Sequence, residues 1–533
     1  MFTAIKHLVR LGRAGRTLAR YDALATPEQL AAVPAPARLA IRLAKLRLPF
    51  SRRPADGTDG RGERLSAALI SLGPSYIKLG QFLATRPDII GVDAADDLSI
   101  LQDKLPPFDT AAARDEIRAG LGAPVDALYS EFGDAVAAAS IAQVHKARTL
   151  GGDGAAREVA VKLLRPGIEE RLAQDLESFA FVARMAETWH APTRRLRPVD
   201  AVATLARSVQ LEMDLRMEAS AISEMAENIA SDPGFRVPEV DWQRTSRRVL
   251  TLEWIDGIPL GDLEALKASD HNLPHLGDMV IQNFLRHAMR DGFFHADMHQ
   301  GNLFVDDRGD LVAVDFGIMG RLSPKDRRFL AEILYGFITR DYARVADVHF
   351  DAGYVPSEQS PRMFAQALRA IGEPLMDREA EDISMARLLG QLFHVTEQFD
   401  MVTQPQLILL QKTMVVVEGV ARMLNPRLNM WTTAEPVVEE WMQSRMGPEG
   451  RLQDAGEGAA SVGRFMAELP ELLAGAGQAA HMLGDMAHGG GIRLDAHTTE
   501  QLARAQGRQN RSNRLALWVV AAALMVLALT QIF

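Results

Sequence analysis

The sequence predicts an α+β fold, and three observations predict it. Ala137 to Ala147, then the turn Gly151-Gly152-Asp153-Gly154, then Glu158-Val159-Ala160-Val161-Lys162-Leu163 read as strand, turn, strand. Further along, Asn302 to Val305 and Leu311 to Val314 are apolar runs parted by Asp306-Asp307-Arg308-Gly309-Asp310, a hairpin that carries Asp297, Asn302 and Asp315 toward one edge. Helical periodicity dominates most of the remainder, above all residues 326 to 445.

At 533 residues, with 47% hydrophobic and 24% charged content, the chain can bury a large core and should hold more than one domain. A net charge of −10 argues against nucleic acid as a partner. Cysteine is absent, which excludes disulfides, thiolate metal sites and cysteine nucleophiles and suits a reducing compartment. Met1 to Ala25 carries Lys6, Arg10, Arg13, Arg16 and Arg20 without an unbroken apolar stretch, so no secretory signal is expected there.

In chain order, Phe2, Ile5, Leu8, Val9, Leu11 and Leu18 alternate with those basic residues at helical spacing. Such a helix either lies on anionic lipid or docks on the main body, and the sequence favours neither. Residues 50 to 62 are rich in Gly, Pro and charge and read as linker. Leu65 to Ile90 is helical in period, interrupted at Gly73-Pro74, and sets Lys78 and Gln81 on one helix face. Pro106-Pro107 ends that region.

The helical stretch after the strands carries Glu212, Asp214 and Glu218. On one continuous helix Asp214 and Glu218 share a face and Glu212 points about 120° away from Glu218. Two acids on different faces suit two lysines, Lys162 and Lys78, without deciding which pairs with which. Arg248 to Gly257 reads as a strand ending in a glycine turn, and Leu260 to Gly292 as helix.

Asp297 and Asn302 have the D-x-x-x-x-N spacing of a kinase catalytic loop, in which the Asp accepts a hydroxyl proton or orients a nucleophile and the Asn binds magnesium. Asp315 opens D-F-G, the second metal position, and V-A-V-K ending at Lys162 matches the strand whose lysine meets ATP phosphates. Glu253 to Ile255 then falls where a kinase hinge reads adenine. Ser323-Pro324 already starts a further helix, so the segment after D-F-G is short, lacks A-P-E, and leaves no platform for a peptide. Residues 515 to 533 carry no charge and approach the ~20 residues that cross a bilayer core. Arg504, Arg508, Arg511 and Arg514 precede them, the flank expected of a C-terminal anchor with the body in the cytoplasm.

Taken together, Lys78-Leu79-Gly80-Gln81, Ala137-Ala138-Ala139-Ser140, Val159-Ala160-Val161-Lys162, Glu212-Met213-Asp214, His295-Ala296-Asp297 through Asn302, and Asp315-Phe316-Gly317 resemble the UbiB family of atypical kinase-like proteins, over roughly residues 60 to 440. The resemblance implies a two-lobed protein-kinase-like fold with an N-terminal helical K-x-G-Q extension and a C-terminal transmembrane helix. The expected organisation is a basic region and linker at 1–59, the extension at 60–124, an N-lobe at 125–259, a helical C-lobe at 260–445, a tether at 446–514 and the anchor at 515–533. It implies ATP or ADP with Mg2+, and Asp297, Lys162, Lys78 and Gln81 as catalytic or covering residues. Nucleotide contacts would come from Val136, Ala137, Ala138, Ala139, Ser140, Ile141, Ala142, Gln143, Val144, Lys162, Glu212, Asp214, Glu218, Glu253 and Ile255, and metal contacts from Asn302 and Asp315.

The alanine-rich loop replaces glycines that let a kinase loop's backbone approach phosphates, so nucleotide handling should differ. The family's H-A-D-P-H-P-G-N pattern here has Met298 and Gln300 in place of two prolines, and Ala296 replaces the kinase arginine that reads a phosphorylated activation loop. Bacterial members have been labelled protein kinases or, by an older name, 2-polyprenylphenol 6-hydroxylases. A hydroxylase needs a flavin, haem or non-haem iron site, and the residues supply none. The expectation is therefore a Mg-ATP-dependent kinase or ATPase at the inner membrane supporting ubiquinone biosynthesis. Its partners would be polyprenylphenol intermediates, biosynthetic enzymes and anionic lipids, with room for a homodimer. The alternatives are a protein kinase acting on biosynthetic enzymes and a nucleotide-binding scaffold without turnover.

Overall fold

The computed structural model describes residues 2–21, 61–84, 90, 94, 97–98, 101, 105–150, 156–189, 197–376, 395, 398–401 and 405–446. The chain divides into two compact units, 1–443 and 444–533, and the second is described only at the end of a helix, Ser444 to Met446. The predicted tether and anchor, the linker around residues 50 to 60 and the Gly151–Gly154 turn lie outside the described residues. Among the described residues no helix is long and apolar enough to cross a membrane.

Strands β1 (Glu131–Ala138), β2 (Ala142–Leu150), β3 (Ala156–Leu164) and β5 (Val249–Glu253) form an antiparallel sheet in the order β1-β2-β3-β5. Period-two alternation decides its faces. Val159, Val161 and Leu163 pack with Ala113 and Ile117 of α4 (Thr110–Leu121), whereas Ala142, Leu164, Leu250 and Leu252 join the main core on the other side. Lys162, between Val161 and Leu163, therefore emerges on the face away from α4.

Preceding this sheet are α1 (Phe2–Arg20), α2 (Arg61–Leu72), α3 (Pro74–Ala84) and the single turn α5 (Val125–Leu128). Helix α1 is docked rather than free. His7 is buried, hydrogen-bonded to Ser178 Oγ at 2.9 Å and stacked on Phe181, and Ala14 is buried too, while Arg13, Arg16 and Arg20 stay exposed. Gly73, at φ +100, separates α2 from α3, which opens on Pro74. The glycine of K-x-G-Q has a packing reason: a Cβ on Gly80 would stand 2.6 Å from Leu101 Cδ2 and 2.7 Å from Leu69 Cδ1.

After β3 come α6 (Ile168–Trp189), α7 (Pro198–Glu212) and α8 (Leu215–Asn228). A second sheet, in the order β4-β9-β8-β6, comprises β4 (Phe235–Arg236), β6 (Gly257–Pro259), β8 (Leu303–Asp306) and β9 (Leu311–Ala313). β8 and β9 are the predicted hairpin, closed by Asp306 Oδ1 accepting the amides of Arg308 and Asp310. A two-stranded ribbon, β7 (Phe293–His295) with β10 (Met319–Arg321), flanks it. The helical lobe is built from α9 (Leu263–Ala268), α10 (Leu273–Arg286), α11 (Pro324–Ile338), α12 (Tyr342–Asp351), α13 (Pro361–Met376), α14 (Pro405–Leu424) and α15 (Met430–Met446). Ser323 and Asp326 cap α11 reciprocally, with Pro324 in its first turn.

Candidate active site

Three charged side chains meet where β3 faces α8 and the end of the hairpin. Lys162 Nζ donates to Glu218 Oε1 and Oε2 at 2.8 and 2.9 Å and to Asp315 Oδ1 at 2.8 Å. Glu218 is buried at 7% exposure, whereas the Asp315 side chain is half-exposed. Burial opposes the Lys162 charge, but the Asp315 and Glu218 carboxylates outweigh it and hold the lysine above its ordinary pKa. The Lys162 charge, against burial, holds Asp315 well below the carboxylate range. Glu218, deepest of the three and sharing its cation, is pushed by burial up to about 7. Asp315 also sits at φ +61, a left-handed conformation that side chains other than glycine adopt at a cost of about 1 kcal/mol or more.

Lys78 Nζ on α3 lies 2.6 Å from Glu212 Oε2, the last residue of α7, and its charge is among those holding Asp315 low. Gln81 is half-buried on the same helix. The pairing left open by the sequence is thus Lys162 with Glu218 and Lys78 with Glu212. Asp214 pairs with neither lysine, which corrects the single-helix reading. The helix breaks after Glu212, and Asp214 in extended conformation caps α8, accepting the Arg216 amide and side chain.

In the loop that follows β7, Asp297 N–H donates to His295 Nδ1 at 3.1 Å, so the His295 proton resides on Nε2 and points to Val314 O at 3.2 Å. Burial pushes the His295 pKa down, consistent with this neutral tautomer. Thr413 Oγ1 from α14 donates to Ala296 O at 3.1 Å. The Asp297 carboxylate stays part-exposed, 3.7 Å from His299 Nε2. Asn302 Nδ2 donates to Asp297 O at 3.0 Å, which leaves its amide oxygen as the open atom. The Val314 amide donates to Asn302 O at 2.9 Å, setting Asp315 next to Asn302. Phe316 packs its ring edge against His295.

One carboxylate and one amide oxygen fit Mg2+, which takes hard oxygen ligands and usually completes its shell with water and substrate phosphates. Accordingly no group of three or more His, Cys, Asp or Glu side chains is set to hold an ion among the described residues.

The register Ala137–Val144–Lys162 runs one row across the sheet over this cluster. Of the other residues expected at the nucleotide, Val136 is exposed, Ala138 and Ala139 are half-buried, and Ser140, Ile141 and Ala142 are buried. Gln143 is fully buried with its amide committed to Phe108 and His145, so its side chain is not a nucleotide contact. Nor is the Glu253 carboxylate, which holds Arg236 Nη1 at 3.0 and 3.2 Å, while Arg236 Nε binds Asp306 Oδ2 at 2.8 Å. That arginine, which belongs to no motif, joins the hinge strand to the base of the β8–β9 hairpin. The Ile255 amide makes no backbone hydrogen bond among the described residues. A separate apolar cavity between α10, α11, α14 and α15, lined by Phe284, Leu334 and Trp431 among others, shares no residue with the charged cluster.

The ABC1 atypical kinase-like domain matches residues 100–349 of the chain and the UbiB helical domain matches residues 368–429. A probable protein kinase UbiB of Marinobacter nauticus is 41% identical over 418 residues, 78% of this chain and 76% of that protein. One from Pseudomonas fluorescens is 41% identical over 419 residues, 78% and 77% of the two chains. Among solved structures, the complex of Rv3197 with erythromycin from Mycobacterium tuberculosis is similar at a TM-score of 0.49 and 23% identity, covering 73% of this chain and 96% of that one.

Proposed function

The chain belongs to the ABC1/UbiB family of atypical kinase-like proteins, and from that premise we propose that it is a Mg-ATP-dependent atypical kinase or ATPase supporting ubiquinone biosynthesis, acting on or extracting polyprenylphenol lipid intermediates. The observation that carries the reading is the meeting of Lys162, Glu218 and Asp315 beside Asn302. In this reading Lys162, held by Glu218, binds phosphate oxygens as a point charge. Asp297, whose main chain His295 and Asn302 fix on both sides, takes or orients the acceptor proton through a carboxylate that stays part-exposed. Asn302 and Asp315 hold the ion, which when bound offsets the negative charge of the phosphates.

The acceptor is small or is water, because the chain passes from Asp315 through β10 into the Ser323 cap without length for a peptide platform. Helix α3, pinned through Lys78 to Glu212, covers the same side. The anchor at residues 515–533 and the exposed arginines of α1 belong to this reading as its membrane contacts, with the catalytic body in the cytoplasm at the inner membrane.

The test is γ-labelled ATP given to the full chain with and without cardiolipin-rich liposomes and a phenolic quinone precursor, with Asp315→Asn as control. Release of free phosphate that lipid and phenol stimulate, and that the variant lacks, is the expected result. Label appearing mainly on proteins would favour the protein-kinase alternative. Full activity of Asp297→Asn in cells would favour a scaffold and overturn turnover altogether.

A further inference from the structure

The turn of the alanine-rich loop is fastened from outside the cleft. Ala139 N–H donates to Ala142 O at 2.8 Å, so the β1–β2 connection is tight, and its residues Ser140, Ile141 and Ala142 are buried instead of overhanging open space. Arg165, the residue after β3, grips it three times: its amide donates to Ile141 O at 2.8 Å, and its Nε and Nη2 donate to Ala139 O at 3.0 and 2.8 Å. Nη2 also donates to Pro106 O at 3.0 Å, and the guanidinium lies over the Phe108 ring at 5.8 Å.

Beside it Gln143 binds the same segment by both ends of its amide, accepting from Phe108 N–H at 2.8 Å and donating to Phe108 O at 3.3 Å. Its remaining hydrogen goes to His145 Nε2, whose other nitrogen donates to Gly133 O in β1. Residues 105–108 continue the chain from Leu101, which packs on α3 at Gly80. Contacts thus tie the turn above Lys162 to residues 105–108, where Leu105 packs against the main core.

We propose that Arg165 is a positioning residue which, with Gln143, latches the alanine turn to residues 105–108, so that the turn and the segment leading into α4 shift as one body. A glycine-rich loop flexes on its own because residues without a Cβ reach a wide range of backbone conformations. Here a charged fork holds the Ala139 carbonyl, and charge-assisted bonds of this kind are about twice as strong as neutral ones. The ligand arm of the test below rests on the nucleotide reading of the cleft; the other arm does not.

Hydrogen exchange of the full chain, read in peptides covering 105–112 and 137–145, tests the latch. Without ligand, Arg165→Met should speed exchange in both peptides together by about tenfold or more, with the rest of the chain unchanged. Arg165→Lys, which keeps the charge but loses the fork, should fall between. With MgATP, the wild type should gain protection in both peptides, and Arg165→Met only in 137–145. A change confined to one peptide, no change, or a rise spread over the whole chain overturns the latch. Absence of MgATP protection anywhere in the wild type would overturn the nucleotide reading instead, leaving the ligand-free comparison to decide the latch.

Discussion

Replacing Lys162 by Met removes one ammonium from between two carboxylates that it meets at 2.8 to 2.9 Å. The two losses are unequal. Asp315 is half-exposed, so losing its partner costs at most ~1 kcal/mol. Glu218 is buried, and with the lysine present its pKa already stands at about 7; without the lysine it rises further. A carboxyl whose folded pKa lies above its unfolded value holds an extra proton in the folded state, so stability falls as pH rises between the two values and levels off above the folded one. In the wild type that fall ends near 7, whereas in the variant it continues. The deficit of the variant should therefore be about 1–2 kcal/mol near pH 6, where Glu218 is largely protonated and the losses are its hydrogen bonds and the Asp315 pair. By about pH 9 it should reach roughly 3–5 kcal/mol, the range for an uncompensated buried charge. Urea denaturation followed by tryptophan fluorescence at the two pH values gives the difference, and Lys162→Met/Glu218→Gln should remove its growth with pH. A deficit equal at both pH values, or shrinking as pH rises, would refute the account.

Three further outcomes are expected. Lys78→Ala breaks the 2.6 Å pair to Glu212 and should raise self-labelling or protein labelling by γ-labelled ATP, since α3 then no longer stays over the cleft; unchanged labelling would remove its covering role. Arg236→Gln leaves the buried Asp306 without its cation, which should lower stability by about 2–3 kcal/mol and weaken MgATP binding more than turnover, as seen by denaturation and by titration. Asp214→Ala removes the cap of α8 and should cost about 1 kcal/mol, most of which Asp214→Asn restores; equal melting temperatures for the two variants would show that the cap contributes nothing.

The sheet and the hairpin were legible because their signals are local. Alternation in Val159-Ala160-Val161-Lys162 sends Lys162 to one face whatever the rest of the chain does, and the Asp306–Asp310 turn closes by its own side chain. Motif spacing likewise located Asp297, Asn302 and Asp315 without any knowledge of packing. Arg165, Arg236 and Thr413 were not legible. Each acts on a carbonyl or carboxylate far along the chain, and nothing in its own neighbourhood marks it. Gln143 and Glu253 mark a second limit: motif spacing places the backbone of the loop and of the hinge, but it does not say that both side chains are committed to the framework.

The two lysines and three acids show why local reasoning stopped where it did. A helical wheel drawn through Glu212, Asp214 and Glu218 assumes one continuous helix, and on it Asp214 shares a face with Glu218 and competes for the same partner. Asp214 itself voids that assumption, because a short carboxylate that caps the next helix takes its own residue out of helical conformation. With the helix broken, Glu212 ends α7 opposite α3, and Glu218 lies on the buried face of α8 opposite β3. The break therefore lets each lysine meet a different acid of this stretch, tying α3 to the end of α7 and β3 to α8. Lys78 and Lys162 remain distinct in consequence: one is held on α3 by Glu212, and the other on β3 by Glu218 and Asp315.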